Sequence, residues 1–357
     1  ARGIYKKLSL DLRKYKRIQM FSHIEAAMPD VYGLQDGDLS VFIRLGSDYS
    51  GNFYEYEIPL KVTPPGFYSG NNEQQRKIVW PEENMLDIDF EVLTNVKNNR
   101  NRERNLGAIS TNTIYSEYDP NHPENRISVA GNPSIGNVRA IMIGVRNNSL
   151  GNRSAEVWVN ELRLVGYESK GGMAAQSRLS LKLSDLGSVD MSGQMATAGY
   201  GGLEEGIQQR RTDDFYKYSV TTSFNLGRFL PEATKVSVPV YYSYSEEKVS
   251  PQYSPYDTDL YLNDVIETYP EGNARDSLRK ISQEMVVSKN FSISNATINI
   301  SSEKPMPYDP ANFSFSYSKS TKDISGSTID YEYDENWKAD IDYSYSPSLK
   351  GLQPFSL

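Results

Sequence analysis

Residues 216–246 read YKYSVTTSFNLGRFLPEATKVSVPVYYSYSE, two alternating arms around a turn-rich middle. In the first arm Tyr216, Tyr218, Val220 and Phe224 fall on one side, and Lys217, Ser219, Thr221, Ser223 and Asn225 on the other. In the second, Val236, Val238, Val240, Tyr242 and Tyr244 share a face opposite Lys235, Ser237, Ser243 and Ser245. Period-two alternation gives each strand one apolar and one wet face. A soluble sandwich and a membrane barrel both produce it. They differ in whether the apolar face meets a protein core or lipid.

The same alternation recurs on either side of this stretch. Leu179, Leu181 and Leu183 alternate with Arg178, Ser180 and Lys182, and Val189, Met191 and Met195 with Asp190, Ser192 and Gln194. Phe313, Phe315 and Tyr317 continue the pattern, then Ile329, Tyr331 and Tyr333, then Trp337, Ala339, Ile341, Tyr343 and Tyr345. A further strand within 284–300 slips its alternation near Lys289, which predicts a bulge there. Residues 169–357 therefore read as about seven strands, each near the ~9–11 residues that cross a bilayer when tilted.

Connections read as short at 185–188, about 226–233 and 334–336, and as long loops at 199–213 and 247–280. The connection at 301–311, with Pro305 and Pro307, is indistinct. Short turns at one end and long loops at the other mark an outer-membrane barrel. On that reading Tyr218, Val220, Phe224, Val236, Val238, Val240 and Tyr242 face lipid or a partner. Lys217, Ser219, Thr221, Ser223, Ser237, Ser243, Lys338 and Asp340 face a wet lumen. An open edge in lipid leaves backbone groups unpaired. The remaining barrel strands must come from the rest of a parent chain or from another subunit. If the short turns are periplasmic, residues 1–168 lie on the outer side or cap the lumen.

Composition narrows the classes. Hydrophobic residues are 38% of the 357, and no run approaches the ~18 apolar residues of a spanning helix. Tyrosine is abundant at 26, a residue suited to interfaces because its ring is apolar and its hydroxyl wet. The net charge of −8 argues against nucleic-acid binding. With no cysteine, thiol catalysis, zinc–thiolate sites and disulfides are excluded. Two histidines, His23 and His122, argue against a histidine triad or a multi-histidine metal site. The chain opens ARGIYKK, without initiator Met or signal peptide, and reads as a piece of something longer.

Residues 1–168 mix strands, polar loops and one helix. Strands are expected at 18–26, 38–47, 52–62, 137–147 and 155–168, an order that suggests a jelly-roll-like β-sandwich. A helix opens at Pro81-Glu82-Glu83 or is capped by Asp87, with Phe90, Leu93 and Val96 or Lys97 on one side. KNNRNRERN at 97–105 reads as a polar tract, and Lys170-Gly171-Gly172 as the boundary. The fold class is thus all-β: a sandwich followed by antiparallel strands of a large transmembrane barrel.

Chemistry is sparse. Asp36 and Asp38 flank a glycine as calcium ligands sometimes do, though a polar turn explains them too. Asp87 and Asp89 are paired carboxylates of the kind used in glycoside hydrolysis, but they sit where a helix is capped or flanked. His23 is expected on the sandwich surface and His122 in a loop. GYGGLEEG at 199–206 precedes no helix and is not a phosphate loop. Within 261–284 short helices are expected, Leu262, Val265 and Ile266 forming a local apolar side. No catalytic residue and no cofactor site is expected, and an enzyme is not indicated.

At DLRKYKRIQMFSHIEA (11–26), GSDYSGNFYEYEIPLKVT (46–63), AEVWVNELRL (155–164), MAAQSRLSLKLSDLGSVDMSG (173–193), KVSVPVYYSYS (235–245) and SPQYSPYDTD (250–259) the sequence resembles the SprA/Sov family. These are giant outer-membrane proteins of Bacteroidota linked to type 9 secretion and gliding motility. The resemblance implies an internal piece of a single-chain barrel, the translocon that exports folded cargo with a C-terminal sorting domain. It implies two further partners, a PorV-like outer-membrane barrel at a lateral opening and a periplasmic plug protein, with outer-membrane lipid around the wall. Rival readings are a TonB-dependent-type nutrient transporter and a secreted glycan-binding adhesin. The adhesin reading would need exposed aromatics, for which Tyr54 and Tyr56 are the candidates.

Overall fold

The computed structural model describes residues 1–28, 33–110, 113–167, 170–206, 209–269, 271–300 and 306–346. The chain is all-β in class, with antiparallel sheets and few helices. It divides into two units: Ala1–Lys170 with Tyr253–Leu278, and Gly171–Gln252 with Arg279–Leu357.

The first unit is a sandwich of two sheets. The larger runs in the order β1 (Arg2–Leu10), β8 (Val138–Asn147), β3 (Leu39–Gly46), β4 (Phe53–Pro59), β7 (Arg126–Ala130) and β6 (Tyr115–Tyr118). The smaller places β2 (Tyr15–Ala26) between β5 (Met85–Asp89) and β9 (Ala155–Tyr167). Alternation fills the space between them. Val41, Ile43 and Leu45 of β3 and Tyr54, Tyr56 and Ile58 of β4 share one core with Ile18, Met20 and Ile24 of β2 and Leu86 and Ile88 of β5.

The outer face of the larger sheet is covered as well. Phe42 and Phe53 point away from the core yet are almost fully buried. The Arg44 guanidinium lies 4.0 Å above the Phe53 ring and the Arg146 guanidinium 4.8 Å above Phe42. Glu55 and Glu57, buried on the same face, neutralise these cations. Arg44 Nε donates to Glu55 at 2.6 Å, Arg126 to Glu57 at 2.5 Å, and Arg146 reaches both carboxylates. Planar guanidinium groups can stack on rings while pairing with carboxylates.

Asp48 builds the β3–β4 turn. Its Oδ1 accepts the backbone N–H of Ser50 (2.8 Å), Gly51 (2.5 Å) and Asn52 (3.1 Å). Gly46 opens the turn because a Cβ there would lie 2.0 Å from the Asn52 carbonyl oxygen.

Two helices accompany the sheets, α1 (Glu73–Val79) and α2 (Phe90–Asn105). The cap of α2 is Asp89, which accepts the Glu91 N–H at 2.9 Å. Asp87 instead lies in β5 and pairs with Arg17 at 2.8 Å, and Glu82–Asn84 is a single 3-10 turn. The tract 97–105, read only as polar, continues the helix. Its polarity misleads because Lys97, Asn98, Arg100 and Asn101 face inward alongside Phe90, Leu93 and Val96.

The last piece of this unit arrives from far along the chain. Leu260, and Leu262, Val265 and Ile266 of α3 (Leu262–Glu267), are buried. Asp259 accepts the Tyr54 hydroxyl at 2.6 Å and the Lys97 ammonium at 2.8 Å. Burial, and next the charge of Asp259, hold the Tyr54 hydroxyl well above its ordinary pKa.

The second unit is one antiparallel sheet. Its order is β10 (Ala174–Leu183), β11 (Gly187–Ala196), β12 (Asp213–Asn225), β14 (Pro239–Pro251), β15 (Glu284–Ile298), β16 (Phe313–Ser325) and β17 (Glu332–Tyr343). The short β13 (Val236–Ser237) pairs with β15. The path is open: β10 and β17 are its edges, and the sheet does not close on itself.

Two expectations are corrected in this sheet. Residues 334–336 are not a turn; β17 runs straight through them, and the turn falls at 326–331, closed by Gly326 N–H to the Ile329 carbonyl at 2.7 Å. The segment misleads because Asp334 and Asn336 are turn-forming types, while the charged Glu335 at an apolar position is held by Lys319 at 2.9 Å. The bulge lies not at Lys289 but between Ile293 and Ala296, where Asn295 takes φ 50°. Pairing is unbroken through Lys289.

The expected segregation of loop lengths holds in part. The connections at 184–186, 226–235 and 299–312 lie at one end of the sheet, and the long ones at 197–212 and 252–283 at the other, but the short turn at 326–331 falls at the long-loop end. Pro305 lies outside the described residues.

Candidate functional site

Cross-strand register assigns every strand residue of the second unit to one of two faces. Along β12, Tyr216, Tyr218, Val220 and Phe224 share a face with Met195 and Met191 of β11 and with Tyr244, Tyr242 and Val240 of β14. Register carries that face to Leu179 and Leu181 of β10, and to Phe291 and Ile293 of β15. It continues to Phe315 and Tyr317 of β16 and to Trp337, Ala339 and Ile341 of β17. The opposite face carries Arg178, Ser180, Asp190, Ser192, Lys217, Ser219, Thr221, Ser223, Ser243, Asn290, Ser316, Ser318, Lys338 and Asp340. Phe215, Val249, Val286 and Ile324 are apolar exceptions on that face near one end of the strands, and Tyr241, opposite Ser223 and Ser292, is another near the other end.

Of the residues read as outward-facing, Tyr218, Val220, Phe224, Val240 and Tyr242 are brought together on the apolar face. Val236 lies in β13 opposite Ile298, and Val238 in the gap before β14. Among the polar set, Ser237 sits opposite Thr297 and meets the Asn225 amide at 3.3 Å.

Among the described residues, most of the apolar face is exposed within this unit, Val287 being a buried exception. Trp337 is 68% exposed, Ile341 74%, Leu179 52% and Tyr343 52%. Single exposed apolar residues are ordinary, but a contiguous surface of this kind marks contact with lipid or protein.

The limit of the apolar band moves from strand to strand. On β12 it extends to Tyr216, on β14 only to Tyr244, which pairs with Val220, and beyond that lie Glu246 and Lys248. On β16 it stops at Tyr317, level with Phe224, before Lys319, Thr321 and Asp323. At the other end the apolar residues run further along β16 and β17, to Phe313 and Tyr343. The limit is uneven: on β15 the same face stays apolar past Lys289, with Val287 opposite Glu246 and Met285 opposite Lys248, and on β17 Trp337 lies beyond the level of Tyr317.

Rings gather near this limit. Tyr218 and Tyr244 lie 5.9 Å apart and both donate their hydroxyls to Glu246, at 2.5 and 2.7 Å. Phe291 and Tyr317 lie 6.2 Å apart. The polar face is knit by short contacts instead: Ser192 with Ser219 at 2.8 Å, Asn290 with Ser243 at 3.0 Å, Lys217 with Glu247 at 2.9 Å and Lys338 with Asp340 at 2.9 Å.

The chemistry-bearing candidates of the first unit hold structure together. Asp36 accepts the Val62 N–H at 2.8 Å; Asp38 accepts the Gln35 N–H at 3.1 Å and pairs with Arg153 at 2.9 Å. Among the described residues no group of three or more His, Cys, Asp or Glu is arranged to hold a metal ion. His23, expected at the surface, is buried, with Nδ1 2.7 Å from the Val79 carbonyl oxygen and its ring beside Trp80. His122 is half exposed, 3.6 Å from Asp119. Tyr54 and Tyr56 are buried, not exposed binding aromatics; Tyr56 donates to Asp119 at 2.5 Å. The Lys97–Asp259 pair went unread because its halves lie on segments 162 residues apart. The one signal was the apolar side of Leu262, Val265 and Ile266, which needs a core to bury it.

A family model, SprA_N, described as motility related/secretion protein, matches residues 1–266, and the chain belongs to that family. The match spans the sandwich, continues through β10, β11, β12 and β14, and ends within α3. A comparison with curated proteins returned no match.

Proposed function

We propose that this member of the SprA_N family, a motility- and secretion-related protein, supplies part of the wall of an outer-membrane protein-conducting channel. The seven strands of the second unit are read as a sector of a large barrel. Their apolar face meets lipid or a partner barrel, and their Ser-, Lys- and Asp-bearing face lines a wet bore. The observation that carries this reading is the contiguous, largely exposed apolar face, rich in tyrosine and phenylalanine and with Trp337 at its edge strand, opposite a face of Ser, Lys and Asp.

The open edges β10 and β17 require further strands, since an unpaired edge in lipid is costly. The rest of a parent barrel is the proposed source. Both chain excursions to the first unit leave the sheet at one end, that of the 197–212 and 252–283 connections. That end is proposed to be extracellular, with the sandwich on the outer side. A PorV-like barrel, a periplasmic plug and folded cargo with a C-terminal sorting domain are the proposed partners. The role is passive conduction, without covalent chemistry in this chain.

Two experiments test the reading. Native membranes washed with carbonate should retain the protein until detergent is added; release into the wash sinks the membrane assignment. Deletion should trap cargo with the sorting domain in the periplasm. Normal export with impaired uptake of a nutrient would favour a transporter instead.

A further inference from the structure

Helix α2 buries two cations one turn apart. Lys97 is 0% and Arg100 3% exposed. A buried charge without a countercharge is strongly unfavourable. Within the segment Ala1–Lys170, Lys97 is given only a neutral partner, the Pro133 carbonyl oxygen at 2.9 Å. Arg100 likewise donates to the Gly131 carbonyl and to the Asn101 side chain at 3.0 Å, and forms no ion pair among the described residues.

The negative charge comes from the distant segment. Asp259 and Asp257 approach Lys97 Nζ at 2.8 and 3.2 Å. The same two carboxylates act on Arg100, offsetting part of what burial does to it. The Asp259 side chain is fully buried, and its second oxygen accepts the Tyr54 hydroxyl. Around this node the segment is tied further. Arg13 donates to the Thr258 carbonyl at 2.9 Å and lies 4.8 Å above the Tyr253 ring, which stacks on Tyr261 at 5.1 Å. Ser134 and Thr258 hydroxyls meet at 2.9 Å.

We propose that Tyr253–Leu278 is a strap that completes the sandwich by bringing two carboxylates to Lys97, the cation buried on the inner side of α2. The sandwich then reaches its packed state only with the strap seated. Its first 170 residues wait, with Lys97 uncompensated, until β10 to β14 and the strap have been made. The 252–283 connection is correspondingly no free loop: it cannot move as a gate without breaking a buried charge cluster. The inference stands on the sandwich alone and does not depend on the sheet being a membrane wall.

Amide hydrogen exchange on the full chain tests it, with K97M, D259N and the double variant K97M/D259L. K97M leaves the buried Asp259 without a cation and D259N leaves Lys97 to Asp257 alone; each should speed exchange across 253–269 and α2 by about tenfold or more. The double variant removes both charges and fills the space with apolar atoms, so exchange should return to within about threefold of native. Strands β15 and β16 should stay protected throughout. Native-like exchange of 253–269 in both single variants, or a double variant no better protected than the worse single, overturns the proposal. If a single variant unfolds altogether, the double variant decides by the same criterion.

Discussion

At the scale of single residues, alternation says which side chains share a face and not which face is inside. Tyr54, Tyr56, Glu55 and Glu57 show the difference. The tyrosines, the exposed aromatics an adhesin would have needed, are core; the glutamates on the other face are buried too, under Arg44, Arg126 and Arg146. Nothing local announces that a wet face will be roofed by arginines from neighbouring strands. Asp48 is more legible, since Asp followed by Ser, Gly and Asn is turn chemistry. The N–H of Gly51, then the Asn52 side chain, hold its carboxyl well below its usual 3.8. A carboxyl depressed in the folded state adds stability above its unfolded pKa and loses it as pH falls toward the folded one. The contribution of Asp48 should therefore be intact at neutral pH and fade below about pH 4. Asp48→Asn should flatten that part of the acid limb of a stability–pH curve, and Asp48→Ala should lower stability by about 1–2 kcal/mol in denaturant unfolding. Leu45→Ala, in the sandwich core, should lose about 2–5 kcal/mol by the same measurement.

At the scale of elements, strands were legible where polar and apolar residues alternated over most of their length, as in β4, β10, β11 and β12, and in β3 through its apolar run. Errors came where one residue broke the rule. Lys289 on the apolar face looked like a slipped register, and the real slip at Asn295 was silent because serine, asparagine and alanine fit either face. The φ of 50° at Asn295 is tolerated by asparagine and glycine and strained for a branched side chain. Asn295→Gly should leave the β15–β16 pairing intact. Asn295→Val should cost about 1–2 kcal/mol and raise hydrogen exchange around 293–296. Helix α2 was half read: Phe90, Leu93 and Val96 gave its inner side, but inward-facing Lys97 and Arg100 made its second half resemble loop. Its cap gives a direct check, since Asp89→Ala should destabilise the helix by about 1 kcal/mol and increase exchange in its first turn.

At the scale of the molecule, the all-β class and the change of character near residue 170 were visible in the sequence. The strap was not. A segment lying between two strands of one unit completes the core of the other, and separation along the chain hides such a partnership from any local reading. Alternation within single strands was visible, but the lining up of those strands into one sheet with a shared apolar face needs register between strands and so appears only in the folded chain. The absence of native cysteine allows the most direct measurement. Single cysteines would be placed at Leu181, Tyr242 and Ile341 on one face and at Ser219, Ser243 and Asp340 on the other, in the assembled protein in lipid vesicles. The account predicts that fluorophores at the first three are quenched by lipid-borne quenchers and that the last three react with a water-soluble maleimide. Equal aqueous labelling of both sets, with no lipid quenching at either, would contradict it.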